Sequence, residues 1–341
     1  MTAAEVTLFH APPRTLAGAT VLQMVTALRE APKARAALNV AHALVQVGAR
    51  AIIAGERGEL VDELESFGGE WLPFAAAAFG PQQRRIDVDT LGKLVAAERV
   101  DIVHARTLGA ARIARIVADR NGPRLVTELP DLSAGRMRFA AFSFAALARG
   151  DRMISHSLFN ARPMMARHRI APERIGVIAP SLDLSHFDPA SVPQERVTQL
   201  RQAWGIPHGT RIALVPGEVA PRNGHLTLIG AARILSSAGA PNVTFVLVGD
   251  DRRRRRFIRK FWRRARAAGV DSLFRMVGHR DSLVAAYAAA DMVVVPYTTA
   301  PPDGYVVAQA QAMARPVIAS SVGALPENLL APPRIAEALR T

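Results

Sequence analysis

The 341-residue chain contains no cysteine, which excludes disulfides, thiolate nucleophiles and cysteine-ligated metal ions and is typical of a reducing compartment. It also lacks the GxGxxG, Walker A and HExxH patterns of many dinucleotide, triphosphate and zinc sites. No apolar run is as long as a membrane-spanning helix, since the nearest, Phe139–Ala148, is about half of one. Residues Met1–Thr20 show no signal-peptide pattern. These absences predict a cytoplasmic protein.

Negative charge is scarce relative to positive charge. The chain has 43 Lys and Arg residues against 29 Asp and Glu, which gives a formal net charge of +14. Lysine occurs only at Lys33, Lys93 and Lys260, so arginine supplies nearly all the cations. This positive charge predicts attraction to an anionic partner, which is a membrane surface, a nucleic acid or a diphosphate.

The apolar pattern predicts an α/β protein, because short apolar runs alternate with longer helical segments. We expect a flexible arm at 1–19, a first Rossmann-like domain at 20–180, a linker at 181–207 and a second Rossmann-like domain at 208–341. Strands are predicted at Thr20–Val25, Ala49–Ala54, Glu70–Pro73, Asp101–Val103, Arg124–Thr127, Arg152–Ile154, Ile175–Ile178, Ile212–Pro216, Val243–Val248, Phe274–Val277 and Met292–Pro296. Helices are predicted at Ala34–Val47, Leu91–Glu98, Glu195–Trp204, Leu226–Ser237, Arg253–Ala268 and Leu283–Ala290.

Several segments together resemble one known family in their order and spacing. They are Val21–Leu28, Asp101–Arg106, Phe187–Pro189, Leu247–Asp250, Val277–His279, Tyr287–Pro296 and Pro316–Ser320. The resemblance is to family-4 glycosyltransferases, which implies a GT-B fold, with two Rossmann-like domains whose parallel sheets face a cleft. It also implies retaining sugar transfer from a UDP-, GDP- or ADP-linked donor, without a metal or other cofactor, in bacterial envelope glycan assembly (lipopolysaccharide or polysaccharide).

The donor-binding segment of this resemblance has lost its two glutamates. In the family they stand eight positions apart and bind the donor sugar and the ribose, whereas here the positions read Pro301 and Gln309. Gln309 can still accept a hydrogen bond, though more weakly than a carboxylate. Asp303 is the nearby candidate to replace the lost group, and Gly304 follows it. A turn before Gly304 explains Asp303 equally simply.

The cations that hold the diphosphate in the family are also replaced. Their arginine and lysine positions, in the loop after the first strand of the second domain, read Glu218 and Asn223 beside Gly217. Arg222 is the candidate substitute, and a solvated loop residue is the alternative interpretation. The family's histidine after the "VT" strand aligns with Pro130, so no convincing catalytic residue remains.

Other positions at strand ends remain as candidates for donor binding. Gly249 lies in a glycine turn, which tight βα geometry also explains, and His279 follows the turn at which the family binds the nucleotide base. His104 and His279 are otherwise explained as loop or packing residues. The chain is thus a divergent member by resemblance, with a C-terminus shorter than the family's. Weak or lost sugar transfer is the leading hypothesis, and an active enzyme with a rewired donor site is the alternative.

A run of cations lies in the predicted helix Arg253–Ala268, where Phe257 with Phe261 and Ile258 with Trp262 form an apolar stripe. An outer helix with solvated arginines explains this pattern. The functional alternative is contact with an anionic membrane surface, peripheral to the inner face of the plasma membrane, or with a lipid-linked glycan. The candidate contacts are Arg253, Arg256, Arg259, Lys260 and Arg263. A protein partner is a further alternative, and nucleic acid is the least favoured, because no recognised nucleic-acid module accompanies the helix.

Overall fold

The computed structural model describes residues 15–29, 32–74, 81–120, 122–129, 145–179, 182, 184–239, 242–249, 254–278, 283–301 and 303–329. The chain divides into two compact units, Met1–Ser181 and Leu182–Thr341. Each unit is built on a parallel sheet, and the predicted α/β class is confirmed. None of the helices in the described ranges combines the length and apolar composition needed to cross a bilayer.

The first unit contains a seven-stranded parallel sheet in the order β3-β2-β1-β4-β5-β6-β7. Its strands are β1 (Thr20–Ala27), β2 (Arg50–Glu56), β3 (Glu70–Pro73), β4 (Ile102–Ala105), β5 (Arg124–Glu128), β6 (Arg152–Ser155) and β7 (Ile175–Val177). Its described helices are α1 (Pro32–Gln46), α2 (Val61–Ser66), α3 (Pro81–Ala97), α4 (Leu108–Ala118) and α5 (Leu158–His168). Leu22 and Met24 belong to one apolar cluster and Val21 and Val25 to another, so β1 is buried on both faces, as parallel strands usually are.

The second unit contains a five-stranded parallel sheet in the order β10-β9-β8-β11-β12. Its strands are β8 (Arg211–Pro216), β9 (Val243–Val248), β10 (Phe274–Val277), β11 (Met292–Val295) and β12 (Val317–Ala319). Its helices are α6 (Gln194–Ala203), α7 (His225–Ser237), α8 (Arg255–Ala267), α9 (Leu283–Ala289) and α10 (Tyr305–Ala312). Leu214 and Val246 pack into one apolar cluster and Val215 and Leu247 into another, so this sheet too is buried on both faces.

Every predicted strand is present, and its ends agree with the observed ends to within two residues. Helix α3 differs more, because it begins at Pro81 rather than at Leu91. Residues 82–85 of its first turn are polar and exposed, so they add little to the apolar periodicity on which the prediction depends. Within the segment predicted as a linker, α6 buries Leu200 and Trp204 in the core of the second unit.

Candidate functional site

Two glycines bring the carboxyl ends of β8 and β9 close together. Gly217 has φ +114°, which side chains rarely adopt, and a Cβ there would lie 3.2 Å from the Tyr297 hydroxyl. A Cβ on Gly249 would lie 1.9 Å from the carbonyl oxygen of Gly217. Glycine is therefore required at both positions by the packing of the two loops. The carboxyl edge of a parallel sheet is also where ligands of α/β proteins bind.

Glu218, which the sequence analysis predicts at the position of an arginine in the resembled family, is held between two arginines. Arg222 donates to one carboxylate oxygen at 2.6 Å and Arg254 donates to the other at 2.9 Å. The side chains of Glu218, Arg222 and Arg254 are 31%, 59% and 45% exposed, so all three reach solvent. The negative charge introduced by Glu218 is thus surrounded by two positive charges, which leaves this group with a net positive charge.

Arg254 was missed by the sequence analysis. It directly precedes α8 and comes from the loop after β9, whereas Glu218 comes from the loop after β8. Adjacent parallel strands place their following loops at the same edge of the sheet. The neighbouring positions of β8 and β9 could therefore have indicated Arg254, but its place within a run of arginines gave no reason to single it out.

Asn223, at the family's lysine position, is part of the loop architecture. It is 7% exposed, and its side-chain amide donates to the Glu218 carbonyl at 2.7 Å. The carbonyl of Arg222 accepts from the backbone nitrogens of Thr298 and Thr299 at 3.0 and 3.2 Å. These bonds fix the turn that carries Arg222, and the neutral Asn223 cannot supply the charge of a lysine.

Tyr297 interacts electrostatically with two of the residues predicted for donor binding. Burial raises the pKa of its hydroxyl, the charge of Asp303 raises it further and the charge of Arg222 lowers it. Asp303 itself accepts from the backbone nitrogen of Tyr305 at 3.2 Å. The Tyr297 hydroxyl therefore lies close to Gly217 and is affected by the charges of Arg222 and Asp303, while Asp303 also has the turn role that the sequence allowed.

Gln309 points into the core of the second unit. It is 6% exposed, and its side-chain oxygen accepts from the hydroxyl of Tyr287 at 3.0 Å. Tyr287 is fully buried, and burial raises the pKa of its hydroxyl above the usual range. The oxygen that the sequence predicts as an acceptor for the bound nucleotide sugar thus lies in the core and accepts a bond from within the protein.

Pro301 and Gly304 pack against the segment that follows β12. The carbonyl of Pro301 accepts from the backbone nitrogen of Ala324 at 3.1 Å. A Cβ on Gly304 would lie 2.3 Å from the side chain of Asn328. Both positions are therefore tightly packed. The predicted residues Pro130, His279 and Arg253 lie outside the described residues.

A second polar group, which we call the Glu128 cluster, lies at the carboxyl edge of the first sheet. It consists of Gln23, His104, Arg106, Glu128 and His156. Glu128 lies 3.0 Å from the Nε of Arg106 and 3.1 Å from the Nε2 of His156. Arg106 donates to the oxygen of Gln23 at 3.0 Å. The strand-end position of His104 agrees with the packing interpretation, whereas the pairing of Arg106 with Glu128 was not predicted.

Charges in the Glu128 cluster are set by burial and by close partners. Burial and then the charge of Arg106 lower the pKa of His104 to about 4, so this imidazole is neutral near pH 7. Burial would raise the pKa of Glu128, but the bond from His156 and the charge of Arg106 lower it overall. The bond to Glu128 raises the pKa of His156. Near neutral pH the cluster thus pairs an ionised Glu128 with the charged Arg106.

Acidification is expected to destabilise the first unit through His104. Because the folded state lowers its pKa from 6.5 to about 4, the unfolded state takes up the proton first as the pH falls. The contribution of His104 to the free energy of unfolding is complete above pH 6.5 and is lost towards pH 4, a change of about 3 kcal/mol. The pKa of His156 is raised, so its contribution to stability declines as the pH rises instead. The pKa of Glu128 is lowered, so its contribution is lost only at more acidic pH.

Urea unfolding of the wild type and of His104→Asn between pH 7 and pH 4.5 measures this effect. The variant should show the flatter profile, because asparagine does not titrate. His208→Asn, at an exposed position, is the matched control and should follow the wild type. If the free energy of unfolding depends on pH equally for the wild type and His104→Asn, His104 is not the group whose pKa folding lowers.

Metal binding finds no support among the described residues, in which no group of three or more His, Asp or Glu side chains is placed to hold an ion. The cations available to an anionic ligand near β8 are arginines. This agrees with a site that stabilises a phosphate through guanidinium groups and backbone nitrogens.

The family model described as Glycosyl transferases group 1 (Glyco_trans_1_4) matches residues 210–340. A D-inositol 3-phosphate glycosyltransferase 1 from Catenulispora acidiphila is 29% identical over 255 residues, covering 69% of this chain and 59% of the relative. A D-inositol 3-phosphate glycosyltransferase from Salinispora arenicola is 28% identical over 304 residues, covering 82% of this chain and 64% of the relative. The chain thus spans less than two thirds of the length of these relatives.

Solved structures show the same fold. A glycosyltransferase from Rickettsia africae superposes with a TM-score of 0.80 at 21% identity, covering 94% of this chain and 86% of the other. Anabaena Alr3699/HepE in complex with UDP and glucose gives a TM-score of 0.71 at 19% identity, with coverages of 92% and 83%. WaaG, a glycosyltransferase involved in lipopolysaccharide biosynthesis, gives a TM-score of 0.61 at 16% identity. The match covers 94% of this chain and 84% of WaaG. The chain has the GT-B fold, and these findings together support a glycosyltransferase of GT-B type.

Proposed function

We propose that this chain is a GT-B glycosyltransferase-like protein of bacterial envelope glycan assembly whose own sugar transfer is weak or lost. One observation carries the proposal: the acceptors predicted in the donor-binding segment make bonds within the protein, and Gln309 is almost fully buried. Gln309 accepts from the buried Tyr287 hydroxyl, and Asp303 accepts from a backbone nitrogen. Pro301 has no polar side chain. Because Gln309 is only 6% exposed, a donor sugar could reach its oxygen only if the core of the second unit rearranged.

Nucleotide binding is the part of the family's activity that the second unit could retain. The match to Glycosyl transferases group 1 covers 210–340, which includes the loops after β8, β9 and β11. HepE has been crystallised with UDP and with UDP-glucose, so UDP compounds are the first donors to test, before GDP and ADP compounds. The envelope role draws support from the involvement of WaaG in lipopolysaccharide biosynthesis.

An active retaining enzyme with a rewired donor site is the second candidate, and the pair Arg222 and Arg254 favours it. A diphosphate leaving group needs positive charge close to its oxygens, and guanidinium groups supply that charge without a metal. Both arginines converge on the carboxylate of Glu218. An incoming diphosphate could take over the place of that carboxylate.

Calorimetric titration with UDP, GDP and ADP and their common sugar conjugates tests both candidates. We expect at most weak binding and no transfer when a bound sugar nucleotide is incubated with D-inositol 3-phosphate, the acceptor named for the relatives. Transfer to this acceptor or to a lipid-linked glycan at rates typical of enzymes would contradict the proposal and establish the active enzyme.

A further inference from the structure

Helix α8 carries seven cations on its exposed side. In the part of the chain that the structure describes, no carboxylate lies within ion-pair distance of any of them. Arg254, just before the helix, differs because it pairs with Glu218. The seven, which we call the α8 basic face, are Arg255, Arg256, Arg259, Lys260, Arg263, Arg264 and Arg266.

The opposite side of α8 is anchored in the core of the second unit. Phe261 and Ala265 are fully buried. The ring of Phe261 meets that of Phe274 edge-on at 5.1 Å and that of Trp262 at 5.5 Å. The aromatic stripe seen in the sequence therefore attaches the helix to the sheet, and packing fully explains it. Packing does not explain the cations.

The α8 basic face costs the helix stability. Like charges one turn apart repel, as in the pairs Arg255 with Arg259 and Arg259 with Arg263. Cations in the first turn also oppose the helix dipole, and that turn contains no acidic residue. An anionic surface outside the protein would offset both costs, because each cation close to it gains favourable electrostatic energy.

We propose that the α8 basic face docks on the surface of an anionic phospholipid bilayer, by charge alone and without insertion. Charge complementarity and shape both support this occupant. The seven cations spread over about half of the helix circumference, and the buried half holds the helix flat on the sheet. A flat surface suits a bilayer better than a nucleic-acid groove, which an exposed helix enters. Single-stranded nucleic acid would need exposed aromatic platforms, whereas Phe261 is fully buried and Phe257 and Trp262 are half-buried.

Co-sedimentation of the full chain with vesicles tests the proposal independently of any sugar chemistry. Vesicles of phosphatidylcholine alone are compared with vesicles that also contain phosphatidylglycerol. We expect binding to the anionic vesicles only, and we expect salt to weaken it. The variant R255Q/R259Q/R263Q/R266Q should bind them more weakly by roughly a hundredfold to a thousandfold.

The matched control removes the same charge from the first unit, at the exposed residues Arg84, Arg85, Arg120 and Arg162. This variant, R84Q/R85Q/R120Q/R162Q, should retain most of the binding. The α8 variant should also melt at the same or a higher temperature than the wild type, because it relieves repulsion within the helix. Equal loss of binding in both variants, or equal binding to neutral vesicles, would overturn the proposal.

A competition experiment decides between lipid and nucleic acid. Single-stranded RNA is added to the protein bound to anionic vesicles at physiological salt. Retention on the vesicles supports the bilayer. Complete release of the protein, when the RNA carries the same total charge as the vesicles, would overturn the bilayer proposal and indicate a nucleic-acid partner.

Discussion

Replacing Glu218 with glutamine is expected to tighten the binding of UDP by roughly tenfold to a hundredfold. In the wild type this carboxylate accepts from Arg222 and Arg254, which are the two cations that we propose would bind the diphosphate. Glutamine keeps the size of the side chain but removes the charge that competes for both guanidinium groups and repels the ligand. Calorimetric titration of the wild type and of Glu218→Gln with UDP measures the difference.

Two further variants make this prediction specific. Adding Arg222→Ala and Arg254→Ala to Glu218→Gln should abolish the gain, because the cations that bind the phosphates are then absent. Asp62→Asn is the control, since it removes one carboxylate that pairs with Arg57 in the first unit and should leave the affinity unchanged. Weaker binding by Glu218→Gln would show that Glu218 itself contacts the nucleotide, as a hydroxyl acceptor.

Replacing Glu128 with glutamine is expected to lower the free energy of unfolding by about 3–5 kcal/mol. Glu128 and Arg106 are 6% and 5% exposed, so the variant leaves the arginine charge buried without its partner. The loss should appear in the urea unfolding transition that reports on the first unit. It also removes the negative charge from the bond that His156 makes to this residue, although the glutamine oxygen can still accept.

The surface pair of Arg50 and Glu70 is the comparison for this effect. A guanidinium nitrogen of Arg50 lies 2.6 Å from a carboxylate oxygen of Glu70, but the two side chains are 39% and 43% exposed. Glu70→Gln should therefore cost no more than about 1 kcal/mol. Replacing both partners, as in Arg106→Met with Glu128→Leu, should recover much of the stability lost by Glu128→Gln, because no unpaired charge remains buried. A loss below 1 kcal/mol for Glu128→Gln would show that water reaches Arg106.

The strands and most of the helices could be predicted from the sequence because their signals are local. A parallel strand buried on both faces is a short apolar run, and Val243–Val248 is such a run both in the sequence and in the structure. The apolar stripe that contains Phe261 likewise identified α8 and its buried side. These patterns arise from residues within a few positions of each other, so they can be read without knowing the rest of the fold.

The pairings within the two sites are not local. Arg254 is 36 residues from Glu218, and Tyr287 is 22 residues from Gln309. Which side chains meet depends on which strands are neighbours in the sheet and on the rotamers that packing allows. For this reason the sequence analysis identified Glu218 and Gln309 as substitutions but not the bonds that they make.

The sequence by itself determined the excess of positive charge, the absence of thiol chemistry and the alternation of strands and helices, and it predicted that Pro301 and Gln309 replace two glutamates. Only the tertiary structure decided what the substituted residues do: Glu218 is held by two arginines, Gln309 is committed to Tyr287, and the α8 basic face has no acidic neighbour among the described residues. The physical reason is that composition and periodicity are properties of the chain. The partner and the burial that give a polar group its energy are instead set by residues distant in sequence.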